Sequence, residues 1–267
     1  MSTSGTHLDK ILAAKRAELA GTKAGRASTL SDQELADLGA RLPKPRDFNA
    51  TLREHSLPAI IAEFKRASPS AGVLRENADP RDIATQYATH GASAISVVTD
   101  RHFQGSYDDL RVIRQTVTLP VLCKDFILER WQIVEAKRTG ADAVLLIVSA
   151  LKAPLLRQLI SFADALDMQV LCEAQDEYEI DRGIAAGAKI IGVNARNLQT
   201  FEVDENRCIQ LRELVPKSFT YVAESGVSSP EQVGRLRDVG VDAILVGSYL
   251  MKAEHPGEAL QQLIDQL

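Results

Sequence analysis

Short runs of apolar, largely β-branched residues recur along the chain at 59–62, 94–98, 120–123, 143–148, 169–172, 190–193, 220–223 and 243–246. Each is too short for a helix and almost continuous in apolarity, the pattern of a strand buried on both faces of a parallel sheet. Run starts lie roughly 20–35 residues apart, enough for one crossover helix per strand. The intervals carry the matching helix signals. Asp79-Pro80 predicts an N-cap with proline at the first helical position. Ser229-Pro230-Glu231-Gln232 reads as a capping box. Residues 129–138 and 176–185 are helical in pattern and stop at Gly140 and Gly187. The sequences Gly140-Ala-Asp142, Gly187-Ala-Lys189 and Gly240-Val-Asp242 repeat one theme of helix stop, tight turn and next strand.

Eight β-then-α units without a linker predict a single (β/α)8 TIM barrel over residues 59–267. An open doubly wound sheet is the rival, but no G-x-G-x-x-G turn follows any strand. Residues 1–58 fall outside the repeat and predict a helical extension packed on the barrel. Residues 8–19 look amphipathic, residues 30–41 predict a second helix capped by Ser31, and Asp47 stands where it can cap a third.

The 267 residues are 45% hydrophobic and 25% charged, ample for a core and unlike a disordered chain. A net charge of −5 lacks the basic footprint of a nucleic-acid binder. The N-terminus has no apolar signal core, and no apolar run approaches the ~18 residues of a membrane span. A cytoplasmic protein is expected. The three cysteines, Cys123, Cys172 and Cys208, lack C-x-x-C spacing, and the five histidines are scattered. Neither a disulfide framework nor a metal site is expected. No long exposed apolar stripe stands out, so a monomer is expected.

Chemistry gathers at the strand ends. Glu63 and Lys65 follow the first run, Lys124 the third, Glu173 the fifth, Asn194 and Arg196 the sixth, Glu224 and Ser225 the seventh. A parallel barrel brings all strand C-termini to one mouth. Alternation puts Glu63 and Lys65 on the same face as Ile61. A buried carboxylate needs a partner, and Lys65 or Lys124 is the obvious one. Ser225-Gly226 and Gly247-Ser248 occupy the two loops that often bind phosphate in this fold. Phe103, Phe126 and Leu128 can line an apolar pocket or simply pack.

Four motifs in order, at 61–70 (Ile-Ala-Glu-Phe-Lys-Arg-Ala-Ser-Pro-Ser), 120–126 (Pro-Val-Leu-Cys-Lys-Asp-Phe), 192–198 (Gly-Val-Asn-Ala-Arg-Asn-Leu) and 223–226 (Ala-Glu-Ser-Gly), closely resemble indole-3-glycerol phosphate synthase of tryptophan biosynthesis. The resemblance covers nearly the whole chain. It implies a lyase that closes, decarboxylates and dehydrates 1-(2-carboxyphenylamino)-1-deoxyribulose 5-phosphate, with no metal or organic cofactor. It implies a catalytic set of Glu63, Lys65, Lys124, Glu173, Asn194 and Ser225. Glu224 adjoins that set and, with Arg196, Phe103 and Phe126, is expected among the substrate-binding positions. Ser68, Ser225, Gly226, Gly247 and Ser248 match phosphate contacts. Two departures from the family pattern flank matched residues: Ala195 stands where many members have Asn, and Ala71 where many have Lys. Other phosphosugar barrels, such as phosphoribosylanthranilate isomerase or the tryptophan synthase α subunit, share the phosphate loops but not the Glu63, Lys65 and Lys124 set. A non-catalytic barrel that senses a phosphorylated metabolite would not need the acid and base positions.

Overall fold

The computed structural model describes residues 6–22, 30–54, 57–68 and 72–267. The eight apolar runs are strands β1 (Ala59–Phe64), β2 (Ala94–Val98), β3 (Val121–Lys124), β4 (Ala143–Ile147), β5 (Gln169–Ala174), β6 (Ile190–Asn194), β7 (Thr220–Glu224) and β8 (Ala243–Val246). Each pairs in parallel with the next, and β8 closes on β1 through Ala59 opposite Ala243. Their residues are almost all buried, as near-continuous apolar runs require. A two-stranded antiparallel hairpin, Ala67–Ser68 with Gly72–Val73, follows β1 and was not anticipated. Ser70 and Ala71 lie outside the described residues.

Three helices precede the barrel: α1 (His7–Thr22), α2 (Asp32–Ala40) and α3 (Phe48–Arg53). Around it run α4 (Pro80–Thr89), α5 (Tyr107–Thr116), α6 (Arg130–Thr139), α7 (Ala153–Ala165) and α8 (Glu177–Ala186). The short α9 (Arg207–Gln210) serves β6 and β7, and α10 (Pro230–Asp238), α11 (Ser248–Lys252) and α12 (Pro256–Ile264) follow. The caps are those the sequence predicts. Asp79 accepts from the Arg81 N–H, Ser31 forms a full capping box with Glu34, and Asp47 accepts from the Ala50 N–H. At Ser229 the Gln232 side chain reaches back to the cap backbone N–H. Gly140 and Gly187 end α6 and α8 with φ of 107° and 99°, a region that penalises a Cβ.

The recurring Gly-x-Asp has a hydrogen-bonding reason. Asp142 accepts from the Val121 N–H at 2.8 Å, and Asp242 accepts from the Tyr221 N–H at 2.7 Å. Each aspartate satisfies a donor of the preceding strand that the barrel ladder leaves open.

Strand alternation divides the core in two. Outward residues such as Ile60, Ala62, Val144 and Val193 pack under the helices. Inward residues Ile61, Leu122, Leu145, Leu171, Val222 and Leu245 fill the barrel. Helix α3 plugs the N-terminal end. Phe48 is fully buried among the inward residues, and the Asn49 N–H donates to the Gln169 side chain at 2.6 Å. The Thr220 hydroxyl donates to Asn49 Oδ1 at 2.6 Å.

Helix α1 crosses the opposite end. The His7 N–H donates to the Gln199 carbonyl beyond β6, and the His7 ring lies 4.4 Å from that of Phe201. Leu8 and Leu12 join the inner cluster that includes Phe126. The extension therefore caps both ends of the cylinder. Phe48→Ala should lower the unfolding free energy by about 3–5 kcal/mol, the cost of emptying a buried aromatic site. Urea denaturation reads this, and a loss below about 1 kcal/mol contradicts the plug.

Candidate active site

The C-terminal mouth holds a cavity of about 490 Å³. Its charged floor comes from alternate strands. Inward parity along β1 runs through Ala59 and Ile61 to Glu63, and along β7 through Val222 to Glu224. Lys124 is the last residue of β3, and Glu173 lies on β5 opposite Gly192 of β6. Four side chains from β1, β3, β5 and β7 thus meet, the arrangement of one interior layer of such a barrel.

The distances define the centre. Lys124 Nζ lies 3.2 Å from Glu63 Oε2 and 3.6 Å from Glu224 Oε2. Lys65 Nζ, just past the end of β1, lies 2.7 Å from Glu63 Oε1. Glu63 therefore bridges the two lysines that the sequence offered as alternative partners. Glu173 and both oxygens of Glu224 are deep in this layer. Glu173 Oε1 and the two Glu224 oxygens lack a hydrogen-bond partner among the described residues, although Lys124 neutralises part of the Glu224 charge. Buried acceptors in this condition are uncommon; Glu173 lines the cavity, whereas Glu224 lies behind the lining.

Burial and neighbours set the protonation states. Burial raises the Glu63 carboxyl, but Lys124 and Lys65 outweigh it and hold the group down at about 2. Burial lowers the Lys124 ammonium, but Glu63, Glu224 and Glu173 outweigh it and the net shift is upward. Glu224 goes the other way. Burial and then repulsion from Glu173 push its carboxyl well up, more than Lys124 offsets. The centre thus contains a stably charged ammonium, a stably charged carboxylate and a carboxyl that keeps its proton to higher pH. Groups with separated affinities for a proton are what acid–base chemistry needs.

The other sequence-chosen residues come to the same cavity. Ser68, Asn194 and Arg196 line it, and Asn194 Oδ1 accepts from the Arg196 N–H at 2.9 Å. Phe103 and Phe126 form an apolar wall, their ring centroids 6.2 Å apart. Leu128 packs against the core clusters and is not part of the lining. Ser225, Gly226, Gly247 and Ser248 form another wall. Ser225 and Gly226 both adopt left-handed φ, at 65° and 82°, which turns that loop sharply. Ala195 is buried, and its N–H donates to the Glu224 carbonyl at 2.8 Å.

Other cavity residues were not foreseen. Leu145, Ile147 and Leu198 add apolar lining, and Lys252 of α11 adds a cation. Asp100 and Asp125 also line it, and both are held by Lys15 of α1, at 2.5 and 2.7 Å. Lys15 is 2% exposed. Burial lowers its ammonium, yet the two aspartates raise it on balance. Asp125 also accepts from the Thr99 hydroxyl at 2.8 Å and the Phe126 N–H at 2.7 Å. The strut therefore ties α1 to the loop carrying Lys124 and Phe126. Amphipathicity alone could not single out Lys15; its position beside Leu12 and Leu19 on the buried face was the available signal. Glu18, Asp100 and His102 are spaced as metal ligands could be, but the Lys15 ammonium sits against Asp100 and 3.2 Å from Glu18.

Fold and site together define a (β/α)8-barrel enzyme with a cluster of lysines and glutamates at its C-terminal rim. Residues 8–263 match the family model for indole-3-glycerol phosphate synthase. The chain belongs to that family, the carboxy-lyases of tryptophan biosynthesis. It is 45% identical to the indole-3-glycerol phosphate synthase of a Polaromonas strain, over 96% of this chain and 97% of the relative. It is 43% identical to that of a Mycobacterium strain, over 98% and 95%. Among solved structures, 3-hexulose-6-phosphate synthase from Salmonella typhimurium matches with a TM-score of 0.64 at 14% identity, covering 78% of this chain and 98% of that one. That likeness concerns the fold alone.

Two outcomes follow from the charges. Lys15→Met leaves two buried aspartates without their cation, a loss of about 3–5 kcal/mol. Amide exchange in α1 should then accelerate by about 10²–10³-fold while the strands stay protected; unchanged α1 protection contradicts the strut. Glu63 has a folded pKa of about 2, below its ordinary value of 4.5, so it contributes stability above pH 4.5 that is lost as pH falls toward 2. Between pH 5 and pH 3 the urea midpoint should fall less in Glu63→Gln than in the native protein; equal falls contradict the pairing.

Proposed function

We propose that this chain carries out the family's reaction by lysine–glutamate acid–base catalysis, acting as a cytoplasmic monomer. The substrate is 1-(2-carboxyphenylamino)-1-deoxyribulose 5-phosphate, and the products are indole-3-glycerol phosphate, carbon dioxide and water. The observation that carries the reading is the Lys124 ammonium lodged between Glu63 and Glu224 on the cavity floor.

Ring closure needs an electrophilic ribulose carbonyl. Lys124 gives its proton to the carbonyl oxygen as the ring carbon bearing the carboxylate attacks. A new carbon–carbon bond forms, and the oxygen becomes a hydroxyl. The carboxylate then leaves as carbon dioxide, and its bonding electrons restore ring aromaticity. Dehydration follows. Glu173 takes a proton from the carbon next to the anilino nitrogen, and the hydroxyl departs as water with a proton from Lys65. Glu63 keeps both lysines charged and in place, and Glu224 supports Lys124 from the far side.

Binding divides between the walls. Phe103 and Phe126 suit the aromatic ring, and Arg196 the carboxylate on it. The Asn194 amide nitrogen suits a sugar hydroxyl, since its oxygen is already engaged by the Arg196 N–H. Ser68, Ser225, Gly226, Gly247 and Ser248 suit the phosphate, with glycines that let backbone N–H groups approach closely. A cavity of about 490 Å³ matches a ligand of this size. No helix among the described residues is long and apolar enough to cross a membrane. Among the described residues, the large exposed apolar side chains, such as Leu57, Val73, Tyr178 and Leu214, lie on separate segments and form no continuous run.

A positioned acid contributes about 10²–10⁴ in rate. Lys124→Ala should lower kcat by that factor and leave KM nearly unchanged, read by the indole fluorescence of the product. Near-native turnover removes Lys124 from the role, and ligand binding without carbon dioxide release by the native protein would favour a non-catalytic barrel.

A further inference from the structure

Gly192 is the middle residue of β6, in a strand otherwise built from Ile190, Ile191, Val193 and Asn194. Glycine weakens a strand, so its presence there asks for a reason. Backbone conformation does not supply one, because Gly192 is not among the residues with left-handed φ. Space does. A Cβ at Gly192 would lie 2.1 Å from Glu224 Oε1 and 3.2 Å from its carboxyl carbon. The Glu224 carboxyl, with Leu171 Cδ1 at 3.0 Å from the same Cβ, occupies the volume that any side chain at 192 would fill. Parity along β6 points residue 192 inward, between Ile190 below and Asn194 above, and its register partner on β5 is Glu173. The seat therefore lies beside the proposed base. Gly247 repeats the device on the other side of Lys124, where a Cβ would come within 2.3 Å of Glu63 Oε1.

We infer that Gly192 is a positioning residue of the acid–base centre, whose missing side chain seats the Glu224 carboxyl against Lys124 and beside Glu173. The inference rests on the reading of Lys124 and Glu173 as acid and base. Gly192 touches no substrate and acts through Glu224. A methyl group there must drive Glu224 Oε1 from 2.1 Å to the 3.4 Å at which ordinary contact begins. The carboxyl then leaves its place beside Lys124, and the ammonium loses one of the groups that hold its proton. Ground-state binding of substrate at the aromatic and phosphate walls is untouched.

Gly192→Ala tests this in the full chain. The expected result is a fall in kcat of about 10–100-fold with KM within about threefold, in a variant whose Tm confirms folding. The alkaline limb of the pH profile should move to lower pH, a change that a purely structural defect would not produce. Glu224→Asp is the companion. Its shorter side chain withdraws the carboxyl from the seat, so adding Gly192→Ala to it should cost less than about twofold. An equal loss in both backgrounds overturns the inference, as does native kcat in a folded Gly192→Ala. If Glu224→Asp is itself inactive, the alkaline limb decides, and an unmoved limb overturns the inference. Native turnover in Lys124→Ala would instead sink the acid assignment. It would leave the Gly192 result readable, because the pair of variants sets Gly192 against Glu224 and not against Lys124.

Discussion

One ammonium set among three glutamates organises the mouth of this barrel. Lys124 meets Glu63 and Glu224 directly, and Glu173 adds to the field that keeps it charged. Charges this deep are costly without partners, so the cluster can exist only if all four side chains arrive together. The closed parallel barrel meets that condition. Its alternate strands deliver inward residues to a common level, and its closure fixes the register of each strand against the next. Moving one strand by a single residue would turn its charge outward among the helices. The same interior that stabilises the fold through Ile61, Leu122 and Val222 therefore sets the geometry of the chemistry one step above them.

The extension serves each end of the cylinder differently. At the base, α3 inserts Phe48 and satisfies strand-end polar groups with Asn49 and Asp47. At the mouth, α1 lays Leu8 and Leu12 over the apolar wall and buries Lys15 between Asp100 and Asp125. Asp125 follows Lys124 directly, so the tether of α1 and the placement of Lys124 share one strand end. Without such a cover this wall would be open to solvent on the side where Phe103 and Phe126 stand.

Much of this was legible in the sequence, for physical reasons. Strands buried on both faces leave unbroken apolar runs, and helix caps leave short polar signatures such as Asp79-Pro80 and Ser31 with Glu34. The convergence of Glu63, Lys65, Lys124 and Glu173 followed from strand ends alone. Other features depend on three-dimensional neighbours that no local pattern encodes. Lys15 is one polar residue on an amphipathic helix until Asp100 and Asp125 are brought to it. Gly192 reads as a weak point in a strand until the Glu224 carboxyl is seen in its space. Glu224 was legible too, as a strand-end residue beside Ser225 and Gly226. The two-residue hairpin after β1 left no signal above that of an ordinary loop.

The central claim is that neighbouring carboxylates, more than burial, govern the Lys124 proton. Titration of the side-chain nitrogen of Lys124 by heteronuclear NMR, assigned by its loss in Lys124→Ala, measures this directly. The account predicts a proton held to higher pH than on an ordinary lysine, and held less firmly in Glu63→Gln. A Lys124 that titrates below an ordinary lysine would mean that burial wins, and would contradict the account.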